Sequence, residues 1–156
     1  MSPLTRYPAL DLTESQLALL GKKPGTTDSV TNVYVTGATI VNSSKAIGIK
    51  LYPGGSKYGT ATVRNVTFND FTVKNSDWAA QIQSCYNADA TYCTSNPSTA
   101  SVTEVYFTDF KGTTSSKHSP DVANLNCPGG GICDVNFLIL VGCANYWVCN
   151  FPLCEY

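Results

Sequence analysis

Few residues in this chain have types that could do chemistry: two aspartates in matching contexts, a lysine in a glycine-framed segment, one histidine and seven cysteines. Asp70 and Asp109 hold equivalent places in Phe68-Asn69-Asp70-Phe71 and Phe107-Thr108-Asp109-Phe110. Two carboxyls held together can divide general acid and base roles if their surroundings push their pKa values apart. Both fall at a turn after a strand-like segment, where Asp is favoured by hydrogen bonding to the local backbone. They therefore read as solvated turn residues and only as weak catalytic candidates. Lys50, in Gly48-Ile49-Lys50-Leu51, offers a point cation to a carboxylate, although by residue type alone it is an ordinary solvated lysine. His118 stands between Lys117 and Ser119. A serine nucleophile would need it beside a serine and an acid; a surface turn is its default place. Gly129-Gly130-Gly131 lies between Cys127 and Cys133 rather than after a strand, which argues against a phosphate-binding loop.

The elements that must position these residues come from a repeat. Val30-Thr31-Asn32-Val33-Tyr34-Val35, Val63-Arg64-Asn65-Val66-Thr67-Phe68 and Val102-Thr103-Glu104-Val105-Tyr106-Phe107 align as one unit, with a looser fourth at Ile132-Cys133-Asp134-Val135-Asn136-Phe137. Aligned on Val33, Val66, Val105 and Val135, the units are 33, 39 and 30 residues apart, which is solenoid spacing. Alternating apolar residues open each unit as a strand with one buried face. The correspondence continues, with Ile40-Val41-Asn42-Ser43 answered by Val73-Lys74-Asn75-Ser76 and Gly48-Ile49-Lys50-Leu51 by Gln81-Ile82-Gln83-Ser84. A unit of about three short strands cannot bury its own apolar face, but stacked units build a continuous core. The fold expected is all-β, a right-handed parallel β-helix of about four coils, with a β-sandwich or propeller as rival. Val33, Val35, Val66, Phe68, Val105 and Phe107 should point inward, and Asn42 should stack on Asn75 about 4.8 Å away.

A chain that is 43% hydrophobic, 13% charged and of net charge -1 has no electrostatic reason to seek nucleic acid or an anionic membrane. Its longest pure apolar run, residues 137–141, is far too short to span a bilayer. No cofactor and no metal site is expected, because the cysteines form no C-x-x-C pair. They read instead as disulfides of an extracellular protein. Cys85 with Cys93 and Cys127 with Cys133 each bracket a short turn-rich loop, leaving Cys143, Cys149 and Cys154 unassigned. Asn42-Ser43-Ser44 and Asn65-Val66-Thr67 are acceptor sequences for N-glycosylation, Asn42 and Asn65 being the attachment residues. Residues 1–23 carry no signal-peptide pattern. Thr13-Glu14-Ser15-Gln16 reads as a capping box, with Leu12 and Leu17 as a staple, Leu19 and Leu20 on the apolar side and Gly21 as the stop. This predicts a short N-terminal helix, either capping the first coil or fraying as a leader.

At Gly48-Ile49-Lys50-Leu51-Tyr52-Pro53-Gly54-Gly55, Val63-Arg64-Asn65-Val66-Thr67-Phe68-Asn69-Asp70-Phe71-Thr72-Val73, Gln81-Ile82-Gln83-Ser84-Cys85-Tyr86 and Ser115-Ser116-Lys117-His118-Ser119-Pro120, the chain resembles the polygalacturonase family of glycoside hydrolases, family twenty-eight. The likeness covers roughly residues 31–134 and is to secreted fungal pectin hydrolases of exopolygalacturonase, rhamnogalacturonase or xylogalacturonan hydrolase type. The resemblance implies a secreted β-helix that cleaves pectic backbones with inversion. Of the family's four motifs, Asn-Thr-Asp, Asp-Asp, Gly-His-Gly and Arg-Ile-Lys, only the last finds a place, on Gly48-Ile49-Lys50. It puts Lys50 in the substrate cleft beside a missing arginine, and Tyr52 and Tyr58 where rings could stack on sugars. The catalytic aspartates of the family have no counterpart. Inverting hydrolysis needs carboxyls about 6.5 to 9.5 Å apart, whereas Asp70 and Asp109 would stack at about 4.8 Å.

Three segments follow: residues 1–29 as a leader with its capping helix, 30–135 as β-helix coils, and 136–156 as a divergent cysteine- and aromatic-rich tail. Both ends look replaced, as in a truncated or misassembled gene product. Two functions remain open: a pectin-backbone hydrolase by descent, expected to be inactive as this chain alone, and a non-catalytic secreted module that binds galacturonate-containing pectin or a partner.

Overall fold

The computed structural model describes residues 5–7, 11–12, 16–139 and 149–150, and side chains over residues 19–137. Three short strands, β1 (Thr5–Tyr7), β2 (Asp11–Leu12) and β3 (Gln16–Leu20), precede three coils that each pair a long strand with a short one. These are β4 (Thr27–Val41) with β5 (Ile47–Leu51), β6 (Thr60–Ser76) with β7 (Ala80–Gln83), and β8 (Ser101–Thr114) with β9 (Ala123–Asn126). A one-and-a-half-turn helix, α1 (Ala90–Ser95), hangs from the β7–β8 connection, and β10 (Ile132–Ile139) and β11 (Cys149–Asn150) follow β9. The long strands stack in the order β1-β4-β6-β8-β10-β11, with β2 also on β4, and the short ones in the order β3-β5-β7-β9. Every pairing is parallel except that of β10 with β11. This is a parallel β-helix, the architecture that the repeat predicts.

Register follows the repeat residue by residue: Val33 lies opposite Val66, Val66 opposite Val105, and Val105 opposite Val135. Inside, like packs on like. Phe68 stacks on Phe107 with ring centroids 5.3 Å apart, and Phe71 on Phe110 at 4.8 Å. Val66, Phe68, Val105 and Phe107 are fully buried, and Val33 and Val35 pack against this core while partly buried.

Each long strand turns corners at residues in the left-handed conformation. Asn32, Gly37 and Asn42 mark them on β4 and its end, Asn65, Asp70 and Asn75 on β6, and Glu104 and Asp109 on β8. Asn, Asp and Gly tolerate positive φ with least cost, which accounts for every one of these residue types except Glu104. The corner amides also stack: Asn75 Nδ2 donates to Asn42 Oδ1 at 2.9 Å, and Asn65 Nδ2 to Asn32 Oδ1 at 2.8 Å.

The N-terminal helix expected from the capping box is not what forms. Residues 16–20 are the strand β3, hydrogen-bonded in parallel to β5, with Leu20 in the core and Leu19 half-exposed. Residues 13–15 lie outside the described residues. The physical reason is the open edge of β5, whose backbone N–H and C=O groups need partners that a strand supplies and a helix does not. Local capping signals are worth about 1 kcal/mol and lose to that demand.

Candidate functional site

Alternation sets the outer face of the short sheet. Ile47, Ile49, Leu51, Ala80 and Ile82 point into the core and Ala123 and Leu125 pack against it, so Gly48, Lys50, Gln81, Gln83, Asn124 and Asn126 face outward. Strand register lines these up in two rows across the coils, Gly48–Gln81–Asn124 and Lys50–Gln83–Asn126. In the second row Ser84 Oγ donates to Asn126 Oδ1 at 3.1 Å, holding one amide in place.

Lys50 is not the solvated lysine its type suggests, since only 8% of it is exposed. Its Nζ sits 4.5 Å from the centroid of the Tyr86 ring. Such a cation–ring contact is attractive by about 0.5 to 2 kcal/mol, the larger value applying as water is excluded. Tyr52, expected as an exposed stacking ring, is also buried, at 6% exposure. It stacks on Tyr58 at 5.0 Å and meets Tyr86 edge-on at 5.8 Å, and Tyr58 in turn meets Tyr92 edge-on at 5.9 Å. Four tyrosines thus form a continuous wall at the C-terminal ends of the short strands, because each covers the next ring. Tyr92 anchors the wall by donating its hydroxyl to Gly54 O at 3.2 Å, and Lys57 Nζ lies 5.0 Å from its ring.

The loop behind that wall is held covalently. Cys85 is bonded to Cys93, closing the segment that carries Tyr86 and Tyr92, and Asp89 caps α1 by accepting a hydrogen bond from Tyr92 N at 2.9 Å. Cys127 is bonded to Cys133 across the glycine turn. Gly131 is required there by close approach, since a Cβ would run into Ala100 O. Cys149 falls in β11, while Cys143 and Cys154 lie outside the described residues.

At the N-terminal ends of the short strands stands a second aromatic feature. Trp78 and His118 stack with centroids 4.1 Å apart and planes 9° from parallel, His118 coming from a single 3-10 turn at Ser116–His118. Beside them Asp77 accepts from Lys117 Nζ at 2.6 Å and from Ser115 Oγ at 2.8 Å. Those two hydrogen bonds, Lys117 first, hold the Asp77 carboxyl below the usual carboxylate range.

Asp70 and Asp109 are elsewhere. They occupy left-handed corners of β6 and β8 in the long sheet, each with φ of 54°, whereas Lys50 lies on β5 in the short sheet. Lys111 Nζ binds Asp70 Oδ1 at 2.7 Å, which raises the Lys111 pKa above its ordinary value. The strand next to Lys50 on the other side, β3, sets Leu19 opposite it. Asn42 and Asn65 are exposed members of the corner ladders. Among the described residues, no three His, Cys, Asp or Glu side chains gather as metal ligands.

Sequence reading missed the amides Gln81, Gln83, Asn124 and Asn126 as a surface, and Tyr86 and Trp78 as its walls. A signal was present, because Gly48-Ile49-Lys50-Leu51 answers Gln81-Ile82-Gln83-Ser84 and the isoleucines point inward. Everything at the alternate positions therefore shares the face of Lys50.

A stapled β-helix whose short sheet offers a lysine and amides between aromatic walls defines the class: a parallel solenoid with an extended polar outer face. The chain belongs to the glycosyl hydrolases family 28, whose sequence profile matches residues 20–149, beyond both ends of the stretch on which the resemblance was read. It is 59% identical over 109 residues to endo-xylogalacturonan hydrolase A of Aspergillus tubingensis, an overlap of 70% of this chain and 27% of that protein. It is 57% identical, with the same two coverages, to the probable endo-xylogalacturonan hydrolase A of Aspergillus niger. The crystal structure of endo-xylogalacturonan hydrolase from Aspergillus tubingensis matches with a TM-score of 0.75 and 55% identity, over 78% of this chain and 32% of that one. The chain thus spans about a quarter to a third of the length of these relatives.

Proposed function

We propose that this chain binds a galacturonate-containing pectic polysaccharide along the outer face of the short sheet, and that by itself it does not hydrolyse the backbone. The observation that carries the reading is Lys50, a cation buried to 8% exposure and steadied over Tyr86, in a row with Gln83 and Asn126. A lysine so placed holds a uronate carboxylate by a charge-assisted hydrogen bond worth about 1.5 to 3 kcal/mol, more than the 0 to 1 kcal/mol of an exposed pair. Successive coils repeat at about 4.8 Å, so a glycan lying across the strands meets one polar side chain of a row per coil. The names of the relatives favour xylogalacturonan among pectic substrates. The disulfides fit an extracellular location, where Asn42 and Asn65 would be open to glycosylation.

Inverting hydrolysis needs one carboxyl to protonate the leaving oxygen and another to activate water. The carboxyls nearest in kind, Asp70 and Asp109, belong to the other sheet, and the neighbour of Lys50 on β3 is Leu19. The test is release of reducing ends from xylogalacturonan, polygalacturonate and rhamnogalacturonan by the purified chain and its Lys50→Ala, Asp70→Asn and Asp109→Asn variants. Background rates for all are expected, with retention on an insoluble pectin column lost in Lys50→Ala. Turnover abolished by either aspartate substitution would overturn the reading and make the stacked carboxylates the active site.

A further inference from the structure

Lys50 is one end of a longer arrangement. Its Nζ lies 4.5 Å from the centroid of Tyr86, which meets Tyr52 at 5.8 Å; Tyr52 stacks on Tyr58 at 5.0 Å, and Tyr58 meets Tyr92 at 5.9 Å. The run closes as it opened, on a lysine, because Lys57 Nζ lies 5.0 Å from the Tyr92 ring. A cation therefore sits against the ring at each end of four tyrosines in unbroken contact. Lys57 differs from Lys50 in being exposed, and Tyr58, Tyr86 and Tyr92 are half-buried, so much of this run can be reached from outside.

The turn that carries Lys57 is seated on α1. Gly54 N donates to Asn96 O at 3.0 Å, and the Tyr92 hydroxyl donates to Gly54 O at 3.2 Å. A Cβ at Gly54 would come within 2.5 Å of Pro97 O. One at Gly55, whose φ of 85° already favours glycine, would come within 2.5 Å of Asn96 Oδ1 and 2.7 Å of the Tyr92 hydroxyl. The backbone two residues before Lys57 is thus pressed against the end of α1. That helix is held in turn by the Cys85–Cys93 bond and by the Asp89 cap.

Charge on the wall is one-sided. In residues 50–58 and 85–96, which build it, Lys50 and Lys57 are the cations and Asp89 is the one acid, its carboxylate engaged with Tyr92 N at the cap. Among the described residues, the carboxylates paired with cations are Glu104, Asp70 and Asp77, on β8, on β6 and in the turn after it, away from both lysines. We infer that Lys57 is a second polyuronide-binding cation, at the far end of the tyrosine wall from Lys50, so that the binding face continues from the short sheet onto the Lys57 turn. A ring beneath an ammonium holds it in place and leaves N–H donors for a carboxylate. Tyrosines, apolar in body and polar at the tip, suit a sugar that offers both C–H and hydroxyl groups. A polyuronide carries a carboxylate on each sugar of its backbone, so one chain reaches both cations and the second contact is favoured by the first.

The inference rests on the proposed pectin-binding reading, and the experiment separates the two. Binding of hexagalacturonate and of its fully methyl-esterified form is measured by calorimetry at several salt concentrations, with melting temperatures, for the wild-type chain and Lys57→Met, Lys57→Arg, Lys57→Glu, Lys50→Met and Lys74→Glu. Methionine keeps the stem and removes the charge. Lys74, exposed on β6 in the long sheet, controls for net charge. Lys57→Met is expected to melt as the wild type, bind the free-acid oligomer about fivefold more weakly, and show a flatter salt dependence. Lys57→Glu should weaken the acid further by repulsion, and Lys57→Arg should retain its binding. Binding of the methyl ester should be unchanged by Lys57→Met, and Lys74→Glu should bind the acid as the wild type does. Lys57→Met and Lys57→Glu with wild-type affinity and salt dependence, while Lys50→Met is impaired, would overturn the role of Lys57 and leave the binding face standing. Equal weakening by Lys57→Glu and Lys74→Glu would trace the effect to net charge and overturn that role as well. A wild-type chain that binds no hexagalacturonate would overturn both.

Discussion

In the long sheet Val33, Val66, Val105 and Val135 stack in register, and Phe68 lies on Phe107 as Phe71 lies on Phe110. The outer face of the short sheet keeps an equally strict register but changes residue at every coil, from Gly48 to Gln81 to Asn124 and from Lys50 to Gln83 to Asn126. Inside the coil stacked side chains pack directly on one another, and the valine row and the two phenylalanine pairs repeat one solution over successive coils. Outside, register places the residues but core packing does not choose them. Repetition of type marks the scaffold in this molecule, whereas the outer face of the short sheet repeats position without type.

The largest effect that would test this contrast is in the scaffold. Phe107 is fully buried between Phe68, Phe110 and Phe137. Phe107→Ala should cost about 3 to 5 kcal/mol, enough to unfold a solenoid of this size, as read from urea unfolding or loss of the far-ultraviolet strand signal. An unaltered unfolding midpoint would mean that the stacked rings do not carry the fold.

On the outer face the expectation reverses. Lys50→Met should shift the unfolding midpoint little, but weaken oligogalacturonate binding by about 1.5 to 3 kcal/mol, with the loss greatest at low salt. A large stability loss with intact binding would assign Lys50 to the scaffold.

Between these lies the corner ladder. Asn75→Ala removes the donor to Asn42 and replaces an Asn that accepts φ of 53° with a residue that does not. A cost of about 1 to 2 kcal/mol is expected in urea unfolding, most of it from the backbone, and Asn75→Gly should recover part of it.

The smallest effect concerns Asp77, whose carboxyl is held below its usual range by the hydrogen bond from Lys117. A depressed folded-state pKa contributes stability that is complete above the unfolded value of 3.8 and is lost as pH falls through the folded one. Because the pair is exposed, the contribution is small. Unfolding midpoints measured downward from neutral pH should fall more steeply in acid for the wild type than for Asp77→Asn, and parallel curves would remove Asp77 as a contributor.

Repetition made the scaffold legible. The valine alignment fixes strand period, coil spacing and inward set at once, and the short loops between Cys85 and Cys93 and between Cys127 and Cys133 mark the staples. The N-terminal segment was misread for a physical reason: its capping box states a local preference, and the unpaired edge of β5, which decides its conformation, lies some thirty residues further along the chain. Lys50 was visible by residue type and by resemblance, but not its burial, because Tyr86 reaches it from the next coil.

The sequence by itself determined the parallel β-helix and its register, since both depend on which residue recurs at a fixed interval. Only the tertiary structure decided that β3 is a strand, that Asp70 and Asp109 sit away from the outer face, and that four tyrosines cover one another in a wall. Those outcomes depend on contacts between side chains from different coils and turns, whose distances no spacing along the chain specifies.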